Sequence, residues 1–411
     1  MDAEVNFRKP EIGEPTRREL NPTVFLSDDH LRFRREVCDF LSSRLTADVR
    51  SANHDPDELG GWRVDFRRDF KRQLAERGYI GVGWPVAYGG RGLDMVYEVI
   101  LADEFEYHDA PALDPSVGYI PYALLAFAND DLKSRFLPAL RRAEISMFLA
   151  YSEPEAGSDL ANLSTRAERE GDEYVITGQK SYSSYSHFAQ YAFLAARTSV
   201  SDRKHHGITL FIVDLAHPGV SISRHRTISG SYHHSVYFDH VRTPASMIVG
   251  TLDEGWRVLM GAIDYERAAI GSPGLVDRQL DRLVSLCLLN PHYVQLGNDP
   301  IVADRLVSLA IEADAARLYA YMVAQAHANG ERPQHETSVC VLLKREAARL
   351  AEALAVDLLG PEAQLARGAE SATLEGVVDR EYREHIFFRF AAGGFDITRN
   401  VIATRGLGMA R

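Results

Sequence analysis

Residues 147–159, Met-Phe-Leu-Ala-Tyr-Ser-Glu-Pro-Glu-Ala-Gly-Ser-Asp, run from an apolar stretch straight into a turn, and residues 178–184, Gly-Gln-Lys-Ser-Tyr-Ser-Ser, follow them. In the first run Pro154, Ala156 and Gly157 let backbone amides come close to an anionic or polar ligand edge, and Ser152 and Ser158 add small hydroxyls. The second run offers an aromatic face at Tyr182 and a hydroxyl at Ser184. These residues suit holding a ligand rather than attacking one. The histidine pairs His205-His206 and His233-His234 lack a Cys or third ligand at suitable spacing. Adjacent side chains diverge on a strand or a helix, so no metal centre is expected from them. Ser181 to Ser186 lack the Gly-flanked nucleophile elbow, which leaves hydrolase chemistry unsupported.

Helices and strands must bring those runs together, and the apolar spacing says which. Leu31, Phe33, Val37, Phe40 and Leu41 recur at helical intervals behind Ser27 or Asp28 as caps. From Met147 to about Val249 the texture becomes short β-branched and aromatic runs, such as Ile208 to Val213, separated by Gly, Pro, Asn and Asp. Long amphipathic patterns return after Trp256, over residues 301–329 and 338–359. The expected class is α+β: an N-terminal arm over 1–27, a helical domain over 28–145, a central antiparallel β-barrel or sandwich over 146–250, and a helical bundle over 251–411.

A hydrophobic content of 45% with 25% charged residues suits a globular enzyme, and a net charge of −12 argues against a phosphate-backbone partner, so no nucleic acid is expected. Cys38, Cys287 and Cys340 fit neither a disulfide framework nor a Cys-x-x-Cys site, which suggests reduced thiols. The acidic N-terminus lacks a signal core and no run approaches the ~18 apolar residues of a membrane span, so a cytoplasmic protein without membrane contact is expected.

Taken with Trp84-Pro85 and Gly89-Gly90-Arg91-Gly92, Val236 to Pro244, Glu254-Gly255-Trp256 and the terminal Gly393 to Asn400, the two runs resemble the signatures of the acyl-CoA dehydrogenase family, collinear over nearly the whole chain. The resemblance implies FAD as cofactor, a C-terminal four-helix bundle, and removal of α and β hydrogens from an acyl thioester to give the trans-2-enoyl thioester. Tyr182 and Ser184 stand where the family places a Trp and a Thr against the flavin. Cofactor contacts are implied at Leu149, Tyr151, Ser152, Gly157, Ser158, Tyr182, Ser183, Ser184, Gly394 and Asp396, and substrate contacts at Ser158, Asp264, Arg267, Ala392 and Gly393.

Aligning Arg399 with the family's terminal Arg puts Ala392 where most members carry the catalytic Glu. Asp264-Tyr265-Glu266-Arg267 matches the alternative used by isovaleryl and long-chain types, so the resemblance implies Glu266 as the base. The backbone N–H at 392 is implied as a donor to the thioester carbonyl. Gly394 replaces the family's Thr, and the Arg-x-x-Phe-Gly element that in many members reaches a neighbouring subunit's cofactor has no counterpart in residues 288–297. The resemblance also implies an electron-transfer flavoprotein or other acceptor and a homotetramer or homodimer. Two alternatives share these motifs: a non-catalytic or half-site subunit of a heteromeric dehydrogenase, and a flavin oxidase or monooxygenase on the same fold.

Overall fold

The computed structural model describes residues 26–331, 333, 335–391 and 393–410, with every side chain among them except those of 263–270 and 388. All but the last two residues of the N-terminal arm expected over 1–27 lie outside the described residues, as do Ala392 and the side chains of Asp264, Glu266 and Arg267.

Among the described residues six α-helices come first: α1 (Asp28–Arg44), α2 (Ala47–Ala52), α3 (Val64–Glu76), α4 (Met95–Tyr107), α5 (Tyr119–Phe127) and α6 (Asp130–Arg141). Ser27 caps α1, its hydroxyl accepting from His30 N at 3.3 Å while the His30 ring accepts from Ser27 N at 3.2 Å. The helix then buries Phe33, Val37, Phe40 and Leu41. Trp84 is fully buried in the turn between α3 and α4. Gly90 folds so close that a Cβ there would meet the Trp84 carbonyl oxygen at 2.1 Å, which explains the glycine.

Eight strands follow: β1 (Met147–Ala150), β2 (Arg166–Glu170), β3 (Glu173–Lys180), β4 (Tyr191–Arg197), β5 (Ile208–Asp214), β6 (Val220–Arg226), β7 (Tyr232–Pro244) and β8 (Ile248–Val249). They form one sheet in the order β6-β7-β3-β2-β4-β5-β8, with β1 added on β4. The expected antiparallel pairing holds for most neighbours. It is broken where β1 runs parallel to β4 and where β2 touches β4 through the single parallel pair Arg166 and Arg197. That one-residue join lets the two halves fold over a common core as a sandwich, with Tyr174 of β3 facing Phe211 of β5 at 5.2 Å between ring centroids.

The chain closes with α7 (Gly255–Ile270), α8 (Gly274–Leu289), α9 (Val294–Gly297), α10 (Pro300–Ala328), α11 (Glu336–Leu359), α12 (Val377–Phe388) and α13 (Phe395–Val401). Helices α7, α8, α10 and α11 make the four-helix bundle, with α11 also packing on α12 and α13. Pro300 at the first turn and Asp299 capping Ile301 N at 2.8 Å start α10. Cys287 and Cys340 are buried and Cys38 is half-buried, none of them in a disulfide, and burial pushes Cys340 up to about 12.

Candidate active site

Strand β1 delivers Tyr151 and Ser152 into a turn closed by reciprocal bonds between Glu153 and Ala156, N to O at 3.0 and 3.1 Å. Strand β3 ends beside it, and Ser181 N donates to Ser152 O at 2.8 Å. An ion pair locks the two runs together. Fully buried Lys180 donates to Glu153 Oε1 at 2.7 Å and to the Tyr151 carbonyl at 3.0 Å. The other carboxylate contacts come from Ser164 N and Oγ, both at 2.7 Å, and Thr165 N at 2.9 Å. Burial works to raise Glu153, but the Lys180 ammonium and these hydrogen bonds outweigh it and hold the carboxyl at about 2. Burial pulls Lys180 down to about 8 against the attraction of Glu153. Both stay charged at neutral pH. Neither was among the site residues read from sequence, although both lie inside the two runs: Lys180 is the single charged residue of the second run, whereas Glu153 is one of three acids in the first and carries no distinguishing signal.

The side chains around this lock fit a flavin. Tyr182 is 63% exposed and held at φ +55°, a left-handed conformation that turns its ring outward at the cost of backbone strain. A bond from Ser184 N to Tyr182 O at 3.0 Å closes that tight turn. Ser183 points inward, its N–H bonded to the His234 carbonyl at 2.9 Å, while the half-buried Ser184 places its hydroxyl 3.4 Å from His233 Nδ1. Gly157 and Ser158 are exposed, with open space where a Gly157 Cβ would stand. Leu149 and Tyr151 are half-buried, the Tyr151 ring meeting Tyr119 and Phe193 at 6.0 and 6.2 Å. The open aromatic face of Tyr182, the exposed Ser158 and the uncovered turn at Gly157 line the edge formed by the loops that follow β1 and β3.

The last bundle faces that edge. Phe387 near the end of α12 lies 5.0 Å from His233, and Arg383 donates to the Ile228 carbonyl at 3.0 Å. A short loop then leads to α13, with Gly393 at φ +82° and Asp396 exposed in its first turn. Arg345 of α11 donates to the Ala391 and Gly393 carbonyls at 2.7 and 2.6 Å. Helix α11 also packs on α7, whose backbone carries positions 264, 266 and 267.

Three domain descriptions match in series: acyl-CoA dehydrogenase N-terminal domain over residues 27–144, middle domain over 149–241 and C-terminal domain over 253–407. The chain belongs to the acyl-CoA dehydrogenase family. Acyl-CoA dehydrogenase IpdE1 from Mycobacterium tuberculosis is 34% identical, covering 92% of this chain and 97% of its own. Among solved structures, the steroid ACAD Tcur3481-Tcur3483 is 28% identical with a TM-score of 0.86, covering 94% of this chain and 99% of its own. The ChsE4-ChsE5 complex from Mycobacterium tuberculosis is 28% identical with a TM-score of 0.85, over 94% and 99%. As an acyl-CoA dehydrogenase the chain is an FAD-dependent oxidoreductase. No described helix is long and apolar enough to cross a membrane.

Proposed function

We propose that this acyl-CoA dehydrogenase oxidises an acyl thioester to its trans-2-enoyl form with Glu266 as the base. Bound FAD supplies the two-electron acceptor for the β-hydrogen, which leaves as hydride. Leu149, Tyr151, Ser152, Gly157, Ser158 and Tyr182 to Ser184, with Gly394 and Asp396 from the bundle, would hold it. Glu266 takes the α-proton, and the electron pair of that C–H bond becomes the new double bond. The N–H at 392 and Gly393 receive the thioester carbonyl; Asp264, Arg267 and Ser158 contact the CoA portion. What supports this reading is that α11 packs against α7 and at the same time holds the loop on both sides of position 392, where a small residue replaces the usual Glu.

The Glu266→Gln variant tests it. A positioned base is worth roughly 10²- to 10⁴-fold in rate, whereas an exposed Glu-Arg pair is worth at most ~1 kcal/mol of stability. The variant is expected to stay yellow and to bind an acyl-CoA without bleaching. Flavin reduction at the parent rate would remove Glu266 from the mechanism.

One observation favours a second, finer reading. Residues 288–297 lack the element that completes a neighbour's cofactor site, and the similar solved structures include a ChsE4-ChsE5 complex and a steroid ACAD. On this reading the chain is one half of a two-chain enzyme acting on a steroid acyl-CoA.

A further inference from the structure

The turn after α2, the end of α4 and parts of α8 and α12 meet in a seam crowded with arginine. Arg278 of α8 forms its floor, 8% exposed, donating to Asp109 Oδ1 at 2.8 Å and to Glu381 Oε1 at 3.1 Å. Arg50 lies 3.6 Å from the other Asp109 oxygen, and Arg282 donates to the same Glu381 oxygen at 2.9 Å. Arg380 of α12 packs with His54 against Gly61, where a Cβ would meet both side chains. Arg367 stands at the mouth, its charge acting on both Arg50 and His54. Its loop is braced from behind by Leu374, Glu375 and Gly376, three successive residues at φ +51°, +56° and +70°, with Gly376 pressed on the Arg367 amide. Such strain collects where a loop is held for a ligand.

Five guanidinium groups share three carboxylates here, Asp109, Glu381 and Glu384, an excess of two positive charges in a protein whose net charge is −12. Burial works to raise Asp109 and Glu381, but the arginines outweigh it and hold both low, so both are ionised. Burial wins at Glu384, 3.8 Å from Arg380, and raises it, which leaves that charge the weakest of the three. Glu375 is 74% exposed and 3.8 Å from Arg367, so water screens it. The crowding shows in the neighbours. Burial and then Arg367 and Arg380 lower the His54 imidazole; burial, with Arg278, Arg282 and Arg367 acting against Asp109, lowers Arg50.

The donors are also underused. Arg278 Nε and Arg380 Nε are buried without a hydrogen-bond partner, and among the described residues Arg282 makes one hydrogen bond and Arg367 only the 3.8 Å ion pair with Glu375. A buried donor left unpaired and like charges held together both cost free energy, and one multiply charged oxyanion shared by several guanidinium forks relieves both. A phosphate group fits this best: its two negative charges match the excess, and its oxygens accept several forks at once. We propose that this seam is a binding site for a phosphate group, inorganic or carried by a nucleotide, in which Arg282, Arg367 and Arg380 donate hydrogen bonds and Arg50 and Arg278 supply the surrounding charge. None of these residues belongs to the flavin or thioester contacts proposed above, and the site does not depend on the assignment of Glu266.

The test is calorimetric titration of the FAD-loaded protein in its native assembly with inorganic pyrophosphate and, separately, with ADP. One saturable site per chain is expected. Arg367→Met is expected to keep FAD and to weaken binding by about tenfold or more, the worth of one charge-assisted hydrogen bond. Arg142→Met removes an equal charge from an exposed pair with Glu144 and should leave the affinity as it is. ADP binding more tightly than pyrophosphate assigns a nucleotide, and the reverse order assigns the free anion; either sustains the site. Absence of saturable binding of both probes up to millimolar concentration overturns the proposal, as does parent affinity in Arg367→Met or an equal loss in Arg142→Met. Should Arg367→Met not fold, Arg282→Met replaces it, and parent affinity there overturns the proposal equally.

Discussion

His234 stacks on His187 with ring centroids 4.4 Å apart, and His187 Nε2 lies 3.1 Å from Glu58. Burial, helped by the neighbouring His187, lowers His234 to about 4 from an ordinary 6.5. A histidine whose folded pKa is depressed favours folding most above its unfolded pKa, because below it the unfolded chain binds the proton more readily. The contribution is therefore full above about pH 6.5 and is lost as pH falls through 6.5 toward 4. Its carbonyl holds Ser183 N, so protonation strains the same loop that presents Tyr182 and Ser184. FAD retention and melting temperature should both fall as pH drops across that window, and His234→Phe should flatten the fall. A variant with the parent's pH profile would show that His234 does not set it.

The elements β1 and β3 reach the site as one unit because Lys180 and Glu153 bind each other out of water. Removing one member leaves the other charge buried, which costs about 3–5 kcal/mol, whereas replacing both with apolar groups of similar size is far milder. Lys180→Met should therefore lower the melting temperature sharply and release FAD, and Glu153→Gln with Lys180→Met should recover much of the stability. Calorimetry and flavin absorbance on the two proteins check this; a single variant as stable as the parent would mean that backbone bonds such as Ser181 N to Ser152 O suffice to join the runs.

At the scale of the whole molecule, α10 carries Ile301, Val307, Ile311 and Leu318 exposed while its opposite side buries Leu309, Ala313, Ala316 and Ala320. A helix apolar on both sides suits burial between two chains. We expect light scattering of the FAD-loaded protein to give an oligomer at micromolar concentration, with flavin absorbance counting cofactors. One FAD per chain supports a self-sufficient homo-oligomer. A colourless chain that turns yellow only with a second protein supports the two-chain reading, and a yellow monomer would contradict both.

Sequence alone determined the family, the helix–sheet–helix order and the two runs proposed here to hold the cofactor, because periodicity and turn chemistry are local and the motifs keep their spacing along the chain. It also carried Ser27 or Asp28 as caps of the first helix, a consequence of neighbours within a few residues, and the structure uses Ser27. Only the tertiary structure decided the parallel pairing of β1 with β4, strands more than 40 positions apart, and the lock between Lys180 and Glu153, residues 27 positions apart. It alone brought Arg345 behind the terminal loop, 46 and 48 positions from the carbonyls it holds. Side-chain to backbone bonds over such separations leave no period and no motif, since any residue can supply the carbonyl; they exist only once packing has chosen which helix lies behind which loop.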